Sequence, residues 1–378
     1  MKIIFEKNVL NSVLTAAMSA VSTKNIIPAT SGILMTTMGS ENVNITAYDL
    51  EKGITTTVPA TVIEEGEYVI NAIRLNQIVK TLSDGDITIE VDEKCMTKIT
   101  NGRSEFSMPA LPGSDFPSTP TVDTGKELTI PQSVMRKMIS RTIFAVAQTD
   151  QRPIYCGVYF EVKGDKIAAV SCDSFRLAYT EQECDIKKND EASAADMSFI
   201  VPGKTLTELM KFLNDSDEEE VNIRIGGKHA LFNIDNLTFF TRLLEGQYID
   251  YNRYIPKDNT IFVNINTDDF MDSLERAALI SEEKAQVRNF VKCNFNEKVL
   301  VITANAVSGN VYDEVAIEKT GNDLEIAFTC RYLLEALKVC GVEKIKLSMS
   351  GPLRAMVIEP ADKEETSFLF VTLPTRMK

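Results

Sequence analysis

One pattern is written three times along this chain of 378 residues, at a spacing of about 125. Its first half is a helical stretch followed by an alternating β-hairpin. Residues 8–21, 131–147 and 267–280 carry the helix period. GILMTTMGSENVNITAYD (32–49), GVYFEVKGDKIAAVSCD (157–173) and FVKCNFNEKVLVITAN (290–305) carry the hairpin, with turns rich in Gly, Asn, Asp or Lys. The second half is a short strand running into an amphipathic helix: YVINAIRLNQIVKTL (68–82), FIVPGKTLTELMKFL (199–213) and IAFTCRYLLEALKVC (326–340). Another hairpin closes each copy: ITIEVDEKCMTKIT, VNIRIGGKHALFNI and KIKLSMSGPLRAMVIE. The chain therefore holds six helix-plus-hairpin half-units.

A module of one helix and mostly strand, used six times, narrows the fold. Helices pack on one side of continuous sheet, an α+β layering, and three similar units in tandem form a gently curving array. If the array closes, helices line the inner face and sheets the outer one. Closed assemblies are favoured because open head-to-tail contacts polymerise. The junctions at 111–131 and 246–260 are rich in turns and in prolines, which stop helices and favour extended backbone. They divide the chain into units 1–125, 126–255 and 256–378.

The inventory removes several function classes. No apolar run approaches the roughly 20 residues of a membrane span. Glu6 and Lys7 interrupt the apolar start, which is not the layout of a signal peptide. A cytoplasmic protein is expected. The seven cysteines (Cys95, Cys156, Cys172, Cys184, Cys293, Cys330 and Cys340) include no CxxC pair and read as free thiols in a reducing compartment. The single histidine, His229, lies in a hairpin turn, Gly226-Gly227-Lys228-His229, which leaves no material for a His-based triad or zinc hydrolase. There is no Walker loop, dinucleotide fingerprint, nucleophile elbow or HExxH. Val201-Pro202-Gly203-Lys204-Thr205 lacks the upstream glycine of a phosphate loop and reads as a strand-to-helix turn. No cofactor, metal or catalytic residue is assigned.

The net charge is −14 and the pI about 4.8, yet cations gather on four helical stretches. Arg74 and Lys80 lie on the first, Arg136, Lys137 and Arg141 on the second, Lys204 and Lys211 on the third, Arg331 and Lys338 on the fourth. Only Glu208 and Glu335 oppose them there. These are either ordinary solvated faces or a basic surface turned toward a phosphate backbone. No element that reads base sequence is present.

Particular segments resemble a known family. Asp173-Ser174-Phe175-Arg176-Leu177-Ala178 is similar to the Asp-Gly-His-Arg-Leu-Ala segment of the bacterial DNA polymerase III sliding clamps. Leu244-Glu245-Gly246-Gln247-Tyr248-Ile249-Asp250-Tyr251 with Arg253-Tyr254-Ile255-Pro256 resembles that family's Glu-Gly-x-Phe-Pro-Asp-Tyr…Ile-Pro linker. Leu111-Pro112-Gly113-Ser114-Asp115-Phe116-Pro117, Thr46-Ala47-Tyr48-Asp49-Leu50-Glu51 and the ending Leu373-Pro374-Thr375-Arg376 match further clamp segments in order.

The resemblance implies a ring: a head-to-tail homodimer of three-domain protomers around duplex DNA, without base specificity. It implies a cleft between units two and three for short peptides of the replicative polymerase, the clamp loader and repair proteins. Carried over by position, that cleft uses Tyr155, Cys172, Arg176, Leu177, Ile249, Arg253, Tyr254, Val371, Leu373, Pro374 and Arg376. Leu177, Leu373 and Pro374 would form its floor, and Arg176 and Arg253 would orient polar atoms. Lys24, Gln148 and Thr149 join the nine helical cations on the DNA side. Phe106 on one side and Leu279 and Ile280 on the other would form the dimer contact. The chain departs from the family at Ser174-Phe175, Ile249 and Thr375, which leaves the peptide preference open. Two other readings stay open on the residues alone: an enzyme with an unrecognised carboxylate site, and a monomeric three-repeat scaffold.

Overall fold

A computed structural model describes residues 1–22, 27–122, 125–184, 186–188, 196–281, 290–307, 309–362 and 367–377. Among them six α-helices recur in register with the sequence repeat: α1 (Lys7–Ala17), α2 (Ala72–Thr81), α3 (Gln132–Thr142), α4 (Gly203–Leu209), α5 (Thr267–Ser281) and α6 (Cys330–Leu337). Each follows a strand directly or after one residue, and at four of the joints the residue there explains the switch. Pro131 and Pro202 stand immediately before α3 and α4, where a missing N–H costs no helical hydrogen bond. Asn71 caps α2 by accepting from the Arg74 N–H at 3.0 Å. Asn266 does the same for α5, and Asp268 and Asp269 lie in its first turn, where negative charge meets the positive end of the helix dipole. The Gly203 segment is thus the strand-to-helix turn expected of it, and the 227–228 turn before His229 joins two antiparallel strands.

The buried faces follow the helical period. Leu10, Leu14 and Ala17 of α1, Met135, Met138 and Ile139 of α3, and Phe270, Leu274 and Ala277 of α5 are all buried against sheet. Each partner helix adds its own apolar stripe, such as Leu75 and Val79 of α2 and Leu333 and Leu337 of α6.

The hairpins expected from the sequence each gain a third strand, and these third strands assemble the protein. In the first half-units they are Lys52–Pro59, Arg176–Glu183 and Gly309–Ala316; in the second, Ser104–Pro112, Leu237–Arg242 and Phe368–Thr372. The register within the repeat is constant: Ala47 faces Ile54, Ser171 faces Ala178 and Ala304 faces Val311. Across units, Leu237–Arg242 pairs antiparallel with Lys52–Pro59, placing Phe239 opposite Ile54. Phe368–Thr372 pairs with Arg176–Glu183, placing Phe370 opposite Ala178. Sheets therefore run unbroken from one unit into the next, with 14 strands across units one and two and nine across two and three. Four strands of unit three complete the array. Phe239 and Phe370 are fully buried at these two seams.

The turn before two of the third strands is built twice in the same way. Asp49 and Asp173 each accept two backbone N–H groups, and Leu50 and Ser174 behind them sit at φ 77° and 76°. That left-handed geometry costs a side-chain-bearing residue about 1–2 kcal/mol. Ser174→Gly should accordingly raise the free energy of unfolding by about 1 kcal/mol in urea titrations, without changing the secondary structure seen by circular dichroism.

Candidate functional site

The seam between units two and three has an apolar outer face and a charged inner one. On the outer face, Leu177, Val371, Val357 and Ala355 pack under the linker residues Tyr248 and Ile249, with Cys172 alongside. Tyr155 is buried, its ring 6.5 Å from Tyr248, and the Arg152 guanidinium lies 4.1 Å above it. Tyr248 stacks on Tyr159 at 5.0 Å, and burial pushes its hydroxyl far above the ordinary tyrosine value. Burial also raises the Cys172 thiol. Burial disfavours ionisation of both groups, so the floor offers shape and apolar contact.

Its rim is exposed. Leu373 is 44% exposed and Phe175 56%; Tyr254 and Leu353 are exposed as well. The Leu373 N–H donates to the Phe175 carbonyl at 2.9 Å, which ties the C-terminal strand to the turn before Arg176. Beyond it, Thr375 donates its N–H to the Ala327 carbonyl at 2.8 Å and its hydroxyl lies 3.4 Å from that of Thr329. Arg253 is largely in solvent, paired with Asp250 at 2.8 Å. Pro374 is half-buried and Arg376 is exposed. An apolar floor, exposed apolar lips and few polar anchors suit an extended peptide.

The helices carry the other surface. Arg74, Lys80, Lys137, Lys204, Lys211, Arg331 and Lys338 are exposed. Lys211 pairs with Glu208 at 2.6 Å, Lys338 with Glu275 at 3.6 Å, and Arg331 with Glu335 at 3.8 Å. Gln148 and Thr149 are exposed beside Lys204 on the wall of one cavity of about 470 Å³. Lys24 lies outside the described residues.

Three models of DNA polymerase III beta subunit domains match the chain in order: the N-terminal domain over residues 1–120, the central domain over 129–250 and the C-terminal domain over 252–376. The beta sliding clamp of Bacillus subtilis is 30% identical over the whole of both chains. That of Halalkalibacterium halodurans is 32% identical over 94% of this chain and 95% of its own. The crystal structure of the Bacillus subtilis DNA polymerase sliding clamp superposes with a TM-score of 0.93 at 30% identity, covering both chains fully. The chain belongs to the beta sliding clamp family. It is a DNA-encircling processivity factor, a non-catalytic subunit that holds its partners through a peptide cleft.

Within the clamp fold two expected roles change. Arg141, expected on the DNA side, is 4% exposed. It donates to the Cys340 carbonyl at 3.3 Å and lies 5.2 Å over the Phe368 ring. Burial lowers its pKa, and its charge is spent on the seam. Arg136 is half-committed too, donating to the Met210 and Leu213 carbonyls and pairing with Asp215 at 2.9 Å. Arg176, expected to orient a bound peptide, is 8% exposed. Its guanidinium is held by Asp173 at 2.9 Å and by Glu335 of α6, and lies 4.5 Å over the Tyr332 ring. It staples the seam from beneath the rim. In the sequence Glu335 is only an offset to basic charge; its spacing of four from Arg331 is the available signal of an ion pair. Phe175 and Leu353 were also absent from the expected cleft, and no period marks an apolar side chain exposed at a turn.

Removing one member of a buried ion pair leaves the other charges stranded, at a cost of about 3–5 kcal/mol. Arg176→Met should therefore lower unfolding stability by about 3 kcal/mol. Arg253→Ala, which removes a solvated pair, should change it by less than about 1 kcal/mol. Chemical denaturation of both variants checks the contrast.

Proposed function

We propose that two copies of this chain close head to tail into a six-domain ring on duplex DNA and bind polymerase, clamp-loader and repair-protein peptides at the seam between units two and three. The observation that carries this reading is a pair of strand edges. Ser104–Pro112 is the counterpart of Leu237–Arg242 and Phe368–Thr372, and Gly309–Ala316 the counterpart of Lys52–Pro59 and Arg176–Glu183. Four of these six strands pair with one another inside the chain. Among the described residues the remaining two are left with open edges, 104–109 on one and the outer side of 309–316 on the other. Such edges drive association, and joining each to its opposite number in a second copy closes a ring.

The repeat also supplies the register. Phe106 occupies the place of Phe239 and Phe370, since it faces Ile99 as they face Phe232 and Ile358. Val311 occupies the place of Ile54 and Ala178. Phe106 of one protomer then lies opposite Val311 of its partner. Phe144, which meets Phe370 edge-on at 5.1 Å, has Leu279 as its counterpart in unit three. Leu279 is 81% exposed and Phe106 36%, while Ile280 is partly packed into the unit-three core. We assign Phe106 and Leu279, with Ile280 behind them, to the dimer contact. Unit limits near residues 125 and 255 and a cytoplasmic location belong to the same reading; among the described residues no helix is long and apolar enough to cross a membrane.

The exposed helical cations, with Gln148 and Thr149, face the DNA. Their contact is sequence-indifferent and weakens with salt as counterions are released. Retention is topological: loaded on nicked circular DNA the ring should stay, and cutting the circle should release it. Equal retention on circular and linear DNA contradicts the ring. Leu279→Asp places a charge in both ring contacts at once and should yield folded monomers by sedimentation velocity; persistent dimers remove Leu279 from the interface. Deleting residues 373–378 should leave the ring intact while lowering affinity for a polymerase-derived peptide at least about tenfold, or roughly 1.4 kcal/mol. Fluorescence anisotropy reads that change, and an unchanged affinity in a folded truncation moves the cleft elsewhere.

A further inference from the structure

The same side chains touch the cleft rim and the DNA side. Glu335, on α6, offers one carboxylate oxygen to Arg176 beneath the rim and the other to Arg331, 3.8 Å away and largely exposed. Tyr332 lies between them: Arg176 is 4.5 Å and Arg331 5.7 Å from its ring, and the ring of Phe175 is 6.2 Å from it. Phe175 in turn holds Leu373 through its carbonyl, and the tail reaches the start of α6 through Thr375. The floor residues Leu177 and Val371 are buried in this arrangement. A peptide reaching them must displace the rim that Asp173, Arg176 and Glu335 secure.

We propose that Glu335 is a positioning residue that couples the two surfaces, so that DNA contact at Arg331 tightens the rim and weakens peptide binding. A phosphate on Arg331 draws that cation away from Glu335. The carboxylate then serves Arg176 alone, and the rim yields less easily. The contact being traded is a solvated ion pair, so the coupling is small. It is also reciprocal: bound peptide weakens the Arg331–DNA contact by the same factor. This inference rests on the proposed cleft and on Arg331 facing DNA.

The test uses the full-length dimer, free or loaded on nicked circular DNA, and the polymerase-derived peptide of the truncation test, fluorescein-labelled. The wild-type ring should bind the peptide about threefold more weakly when loaded. In Glu335→Gln, whose amide keeps a hydrogen-bonding oxygen for Arg176 but has no charge to redistribute, the ratio should fall to one. Arg331→Gln, at an exposed position that tolerates the change if Glu335→Gln does not fold, should also give one. Equal affinity of free and loaded wild-type rings overturns the coupling and leaves the cleft standing, as does a ratio that survives in the folded variants. Failure of the free ring to bind the peptide overturns the cleft and this inference together.

Discussion

Backbone pairing between third strands is the constraint on which the rest of this protein depends. A half-unit alone has an open β edge, which sheet proteins must cover. Here each unit covers one edge of its neighbour in fixed register, with an aromatic side chain driven into the seam: Phe239 opposite Ile54, Phe370 opposite Ala178. Because side chains alternate across a strand, a slip of one residue would turn those phenylalanines to the wrong face. The seams are therefore as well specified as the cores. A ring made this way needs no interface chemistry beyond what already joins its units.

That economy explains which parts of the structure could be read in the sequence. The helices and hairpins were legible because period 3.6 and period 2 are written into Leu10-Leu14-Ala17 and into GVYFEVK alike. The third strands were less visible. Lys52–Pro59 is rich in threonine and Arg176–Glu183 mixes Tyr with Glu, so neither stands out from its hairpin. What distinguishes them is long-range pairing, which leaves little local trace. The cleft residues were found by resemblance to a family. Position alone did not reveal which of them are solvent-exposed, and burial separated Arg176 from Arg253 although both are arginines near one seam.

Electrostatics shows the same division of labour. A chain of net charge −14 would be repelled by DNA if its charges were evenly spread. Instead, exposed Arg and Lys outnumber acids on α2, α3, α4, α6 and their ends, while α1 is nearly uncharged and α5 exposes Asp268, Asp269, Asp272 and Glu275. Some helical cations are withdrawn from that surface: Arg141 holds the seam at the Cys340 carbonyl, and Arg136 is tied to two carbonyls within unit two. Desolvation and the neighbouring Arg141 charge also lower the Lys137 pKa. On the proposed reading few cations are left to face DNA, which suits a ring that must slide: a tight phosphate contact would be a brake.

All seams share a plan, yet the proposed peptide cleft occupies one of them. The outer face of each seam is dominated by the pair of residues just beside the buried aromatic. At the first seam the pair is Gly53 and Phe240. A Cβ on Gly53 would lie 2.1 Å from the Phe240 ring, so that ring covers the strand, and Tyr48 packs against it at 5.3 Å. At the second seam the pair is Leu177 and Val371, two aliphatic side chains flanked by the exposed Leu373 and Phe175. At the open edges the corresponding residues are Asn310 and Ser107, both polar. Only the second combines an apolar floor with apolar lips at the surface. The repeat gives every seam the same backbone, and the side chains at these two positions set the proposed cleft apart from the other seams.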